Sequence, residues 1–68
     1  MRPADVVRVL ELVGFVRTRQ MGSHVFLVHS ERKLCTTVAL HNRDMTRPML
    51  LAVLKQADVP LEEFVKLL

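Results

Sequence analysis

The chain contains no tryptophan and no tyrosine, and its only aromatic side chains besides histidine are Phe15, Phe26 and Phe64. Proteins that bind single-stranded nucleic acid by base stacking use exposed aromatic rings, so this composition argues against that binding mode. Half of the 68 residues are nevertheless hydrophobic. We therefore expect one small aliphatic core with no room for a large internal ligand cavity, and a function located on the surface or at an interface.

Cysteine and long apolar runs are also scarce. Cys35 is the only cysteine, which excludes a disulfide within the chain and a zinc site built on cysteines; Cys35 itself is expected to be a small core residue. No run approaches the roughly 18 apolar residues of a membrane span, and the N-terminus lacks a signal-peptide pattern. These absences predict a single cytoplasmic domain over residues 1–68 with no membrane association.

Positive charge is concentrated in the middle of the chain. Residues 15–47 hold six arginines and lysines against two acidic residues, within a net charge of +3. Such a basic segment is the footprint expected for a nucleic acid or another polyanion. A solvated polar face explains a charge of this modest size equally well.

The apolar spacing predicts six elements. They are a helix over residues 3–13, strands over 15–20, 24–29 and 34–40, a helix from the N-cap Thr46 to about 57, and a last helix that begins at Pro60. In the last helix, Leu61, Phe64, Val65 and Leu68 are expected to pack inward. This order, α-β-β-β-α-α, predicts an α+β fold in which a three-stranded antiparallel sheet has its helices packed on one face. The other face, or its rim, is left for a partner.

The segment Gly22-Ser23-His24 carries the most chemical information. A Gly-Ser turn followed by a strand places an imidazole at the rim of the sheet, and Arg17 and Arg19 are expected to share one face of the preceding strand. An imidazole beside fixed positive charge suits phosphodiester cleavage, because one group moves protons and the others stabilise the phosphate. Alternation does not decide which face of the sheet His24 occupies, since both sets of alternate positions in the strand over residues 24–29 are apolar.

The remaining histidines are open to several interpretations. His41, at the end of the third strand, fits a second proton carrier, a substrate contact or a solvated strand end, and His29 fits a surface position beside the hairpin. Three histidines without cysteines or a carboxylate cluster make a poor metal site, so no metal and no other cofactor is predicted.

The motifs together resemble one known family. The series Gly14-Phe15, Arg19-Gln20-Met21-Gly22-Ser23-His24, Thr37-Val38-Ala39-Leu40-His41 and Leu54-Lys55-Gln56-Ala57 is similar to the HicA (YcfA-like) mRNA interferase toxins over nearly the whole chain. The resemblance implies a fold like that of the double-stranded RNA-binding domain, an active histidine at His24 and a HicB-type antitoxin partner. Ala39, Pro48-Met49 and Asp58 depart from the residues common in that family.

The resulting hypothesis is a metal-independent endoribonuclease toxin that cleaves mRNA, with His24 as the general acid or base. Gly22, Ser23, Arg17, Arg19 and His41 are predicted to contact the RNA or to form the turn beside it. Two alternatives are also compatible with the sequence. The chain could be an RNA-binding module without catalysis, or a protein-interaction domain that only holds an antitoxin-like partner.

Overall fold

The computed structural model describes all 68 residues and contains the six predicted elements in the predicted order. These are α1 (Pro3–Leu12), β1 (Val16–Met21), β2 (His24–His29), β3 (Leu34–Ala39), α2 (Arg47–Ala57) and α3 (Leu61–Leu67). The strands form one antiparallel sheet in the order β1-β2-β3. The α+β architecture is confirmed. None of the three helices has the length and apolar character needed to cross a membrane.

The strand register separates the sheet into two faces. Val25 pairs with Val38 and Leu27 with Thr36, and all four are buried on the side of the helices. The alternate residues form the opposite side, which we call the open face: Val16, Arg19 and Met21 of β1, His24, Phe26 and Val28 of β2, and Cys35, Thr37 and Ala39 of β3. Phe26, Val28 and Thr37, in the middle of this face, are only half-buried and line a depression that is open to solvent.

The core contains fifteen buried hydrophobic residues that come from every element except β1. The largest fully buried side chains are Phe64, Leu10, Leu27, Val6, Val7, Val9, Val25 and Val38. All six residues of β1 are exposed, so β1 is an edge strand whose outer side faces solvent. The core is therefore built between the helices and the inner sides of β2 and β3.

Both ends of α2 are determined by local chemistry. The hydroxyl oxygen of Thr46 accepts a hydrogen bond from the backbone N–H of Met49 at 3.3 Å, which confirms the predicted N-cap. The helix ends at Asp58 in the left-handed conformation, with φ of 54°. A non-glycine residue there costs on the order of 1 kcal/mol, but Asp58 also forms an ion pair with Arg32 at 2.6 Å. This contact links the β2–β3 hairpin to the end of α2.

The predicted packing of α3 is wrong in part. Phe64 is fully buried, whereas Leu61, Val65 and Leu68 are 38%, 57% and 49% exposed. The helix has only seven residues and contacts the domain chiefly through α1. One large side chain therefore anchors α3, and its other apolar residues remain on the surface.

Candidate active site on the open face of the sheet

The turn between β1 and β2 consists of Gly22 and Ser23. Gly22 has φ of 58° and Ser23 does not have a positive φ, the pattern of a type II′ hairpin turn with glycine at its first central position. A Cβ built on Gly22 would meet no atom within 4 Å. The main chain at this turn is therefore open to solvent on the side where a side chain would lie, which allows close approach of another molecule.

His24 is the first residue of β2 and lies exposed on the open face, between Met21 of β1 and Ala39 of β3. Its side chain borders a shallow groove between the sheet and α2. The groove is lined by Thr37, Ala39, Met45, Met49, Ala52, Val53 and Gln56, none of which carries charge. Ala39 and Met49, which depart from the residues common in the HicA pattern, both lie in this groove. The structure therefore shows which face of the sheet His24 occupies, which the alternation of residues along the strand does not decide.

The fold also brings His41 to His24. Their ring centroids are 6.3 Å apart, with an angle of 83° between the ring planes. The contact depends on a backbone hydrogen bond of 2.6 Å in which the N–H of Leu40 donates to the carbonyl oxygen of Ser23. Because this bond joins the end of β3 to the Gly22-Ser23 turn, residues 17 positions apart in the chain share one site.

The two arginines of β1 do not share a face, and the prediction that they would is wrong. Arg19 pairs with Phe26, and its guanidinium carbon lies 4.9 Å from the centre of the Phe26 ring on the open face. Arg17 pairs with Leu27, and its Nε lies 3.3 Å from a carboxylate oxygen of Glu11 in α1. The register shifts between them, because Thr18 is an extra residue in β1. Only Arg19 is therefore on the side of His24.

The open face continues from His24 toward the β2–β3 hairpin as a second shallow depression. Its lining includes Thr18, Arg19, Lys33, Cys35, Thr37 and Gln56. Thr37 and Gln56 line both hollows, so they form one continuous surface. The sequence indicates Gln56 only as part of a helix exterior, yet its amide oxygen accepts a 2.8 Å hydrogen bond from the Thr36 hydroxyl.

Cys35 is exposed on this surface, so the prediction of a small core residue is wrong. Cys35 pairs with Val28, and both residues lie on the open side of the pleat. Burial in β3 falls instead on Thr36 and Val38, the residues on either side of the Thr37 position. Alternation alone could not predict this, because both sets of side chains in β3 are small or apolar.

Two basic side chains that line the open face carry no ion pair, as is also true of Lys55 and Lys66 in the helices. Arg8, Arg17 and Arg32 each pair with a carboxylate. Arg19 and Lys33 pair with none and both line the open surface. The chain has no group of three or more histidine, cysteine, aspartate or glutamate side chains that could hold a metal ion.

His29 lies apart from the other two histidines. Its Nδ1 accepts the backbone N–H of Arg32 at 3.3 Å, and its ring meets the edge of Phe15 with centroids 5.4 Å apart. A Cβ on Gly14 would lie 2.7 Å from the His29 Nε2. Gly14 is therefore needed for the imidazole to pack there, and we interpret His29 as a structural residue of the hairpin base.

Comparison with known proteins identifies one family. The family model for the HicA toxin of bacterial toxin–antitoxin systems matches residues 3–59. The matched range contains all three strands, α1, α2 and the turn that carries His24. No curated protein matches the chain.

Proposed function

The chain belongs to the HicA toxin family of bacterial toxin–antitoxin systems, and we propose that it acts as a metal-independent endoribonuclease that cleaves mRNA with His24 as a general acid or base. The observation that carries this proposal is the position of His24, which is exposed on the open face beside Gly22, where no atom lies within 4 Å of the position that a Cβ would take. An imidazole exchanges protons near neutral pH, and the neighbouring open backbone leaves space for a phosphate.

The proposed reaction uses a nucleophile that the substrate supplies. The 2′-oxygen of a ribose attacks the adjacent phosphorus, the bond to the 5′-oxygen breaks, and the products are a 2′,3′-cyclic phosphate and a 5′-hydroxyl. His24 takes the proton from the 2′-hydroxyl or gives a proton to the departing 5′-oxygen. Arg19, on the same face, would stabilise the negative charge that develops on the phosphorane.

The open face is also the surface on which we place the partners. The family is one of paired toxins and antitoxins, and a HicB-type antitoxin that covers His24 would exclude RNA from the same surface. Purified antitoxin and RNA are then expected to compete for binding. Simultaneous binding of both, without loss of affinity for either, would contradict this arrangement.

The first test concerns the chemistry. Cleavage of RNA by the purified protein is expected to persist in excess EDTA and to leave a 2′,3′-cyclic phosphate end, because the 2′-hydroxyl replaces a metal-activated water. The end groups can be identified by mass spectrometry or by their resistance to phosphatase. Loss of cleavage on chelation, with recovery on adding a divalent ion, would contradict the mechanism. Binding of RNA without cleavage under all conditions would favour the RNA-binding module instead.

The bulge at Thr18 provides a matched pair of variants for the binding surface. Arg19→Ala is expected to weaken RNA binding and to reduce the slope of log affinity against log salt by about 0.7–0.9, the value for one phosphate contact. Arg17→Ala removes the same charge from the same strand but from the other face, where Glu11 already neutralises it. We expect this variant to change the slope little.

These affinities can be measured by fluorescence anisotropy across a salt series, in a His24→Ala background that prevents cleavage. Lys55→Ala on the helical side is a second control. If Arg17→Ala reduced the slope and Arg19→Ala did not, RNA would bind away from the open face.

A further inference from the structure

The pairing of His24 with His41 extends the proposed function, on which this inference rests. Transesterification of RNA requires two proton transfers, one from the 2′-hydroxyl and one to the 5′-oxygen. A single imidazole can perform only one of them at a time. A second proton-transferring group within reach of the same phosphodiester would supply the other transfer.

His41 is the group that the fold places there. The ring centroids of the two histidines are 6.3 Å apart and the ring planes are nearly perpendicular. At this separation both imidazoles lie within reach of one phosphodiester group. We propose that His24 and His41 act together as the base and acid of RNA cleavage, one accepting the 2′-hydroxyl proton while the other donates a proton to the 5′-oxygen.

The two histidines account for both protons that move in this step. The 2′-oxygen forms a bond to phosphorus as its proton passes to the neutral imidazole. The bond from phosphorus to the 5′-oxygen breaks, and that oxygen takes the proton of the imidazolium. The two side chains exchange protonation states and recover them by proton exchange with water, so no metal or other co-reactant takes part.

The segment that carries His41 is held at both ends. The N–H of Leu40 donates to Ser23 at 2.6 Å, and the N–H of Met45 donates to the carbonyl oxygen of Met1 at 2.7 Å. The side chain of Met45 is also buried in the core. A histidine at a merely solvated strand end would not need this attachment, whereas a catalytic group requires a fixed position.

No carboxylate forms an ion pair with either histidine. Neither His24 nor His41 forms an ion pair, since the ion pairs of the chain involve only its N-terminus, arginines and acidic residues. The other residues that line the groove at His24 are all uncharged. His41 is therefore the proton-transferring side chain that the structure shows in contact with His24.

The test uses two RNA substrates that differ at one atom. In the first the leaving group is the natural 5′-oxygen, and in the second it is a bridging 5′-sulfur, which departs without protonation. His24→Ala and His41→Ala are each expected to lower the single-turnover rate on natural RNA by about 10²–10⁴-fold. The variant that lacks the acid is expected to regain most of its rate on the sulfur substrate, and the variant that lacks the base is not.

Matched controls separate catalysis from folding. Asn42→Ala alters the adjacent exposed residue and is expected to cleave both substrates as the wild-type protein does. His41→Gln keeps a polar side chain of similar size and serves if His41→Ala does not fold, which circular dichroism will show.

The outcomes distinguish this inference from the function on which it rests. If His41→Ala or a folded His41→Gln cleaves natural RNA within a few-fold of wild type while His24→Ala is inactive, His41 is not catalytic and the proposed function stands. If both histidine variants lose activity but the sulfur substrate rescues neither, the two histidines do not each carry out one of the proton transfers, and the inference fails. If the wild-type protein cleaves neither substrate, the proposed function and the inference fail together.

Discussion

Replacing His24 with alanine is expected to lower RNA cleavage by about 10²–10⁴-fold, the usual contribution of one general acid or base, and to abolish growth inhibition in cells. The side chain is exposed, and the core of the domain does not include it. Exposed substitutions of this kind usually change the free energy of unfolding by no more than about 0.5 kcal/mol. The loss of activity should therefore occur in a protein that melts at nearly the wild-type temperature.

Met21→Ala is the matched control for this variant. Met21 is the cross-strand partner of His24 and is 57% exposed on the same face, but it has no group that can transfer a proton. It is expected to retain toxicity and cleavage. A His24→Ala protein that remains toxic at equal expression would remove His24 from the mechanism, and one that unfolds would show that the residue is structural.

Phe64→Ala is expected to destabilise the domain strongly. The ring is fully buried, and truncating such a phenylalanine typically costs about 3–5 kcal/mol. That is a large share of the roughly 5–15 kcal/mol by which domains are stable. At about 4–8 °C for each kcal/mol in a domain of this size, the melting temperature should fall by more than about 12 °C.

Val65→Ala, at the next position of α3, tests whether this effect comes from burial. Val65 is 57% exposed, so its truncation is expected to change the free energy of unfolding by less than about 0.5 kcal/mol. Thermal unfolding followed by circular dichroism compares the two variants directly. Equal shifts would mean that α3 is not anchored through Phe64. The expected difference would show that α3, which lies outside the matched range 3–59, completes the core.

The element order could be predicted from the sequence because its signals are local. Pro3 and Pro60 mark helix starts, Thr46 caps α2, and Gly22-Ser23 turns between two β-prone runs. Each of these effects depends on a few neighbouring residues. The same is true of the resemblance to the HicA family, which rests on short motifs in order.

The composition of each face could not be predicted in the same way. The face of His24 follows from its pairing with Met21 and Ala39, which is a property of the assembled sheet. The separation of Arg17 from Arg19 depends on one inserted residue, Thr18. A threonine at this position does not by itself indicate a bulge. The approach of His41 to His24 depends on the hydrogen bond between Leu40 and Ser23, which joins distant parts of the chain.

The exposure of Cys35 has a practical consequence for work on this molecule. It is the only thiol in the chain, and it lies on the surface where we place both RNA and the antitoxin. A fluorophore or an alkylating reagent will therefore label the protein at one known position. A molecule that occupies the open face is expected to change the rate at which Cys35 reacts or the emission of a label attached to it. Cys35 can therefore report binding to this face without an engineered cysteine.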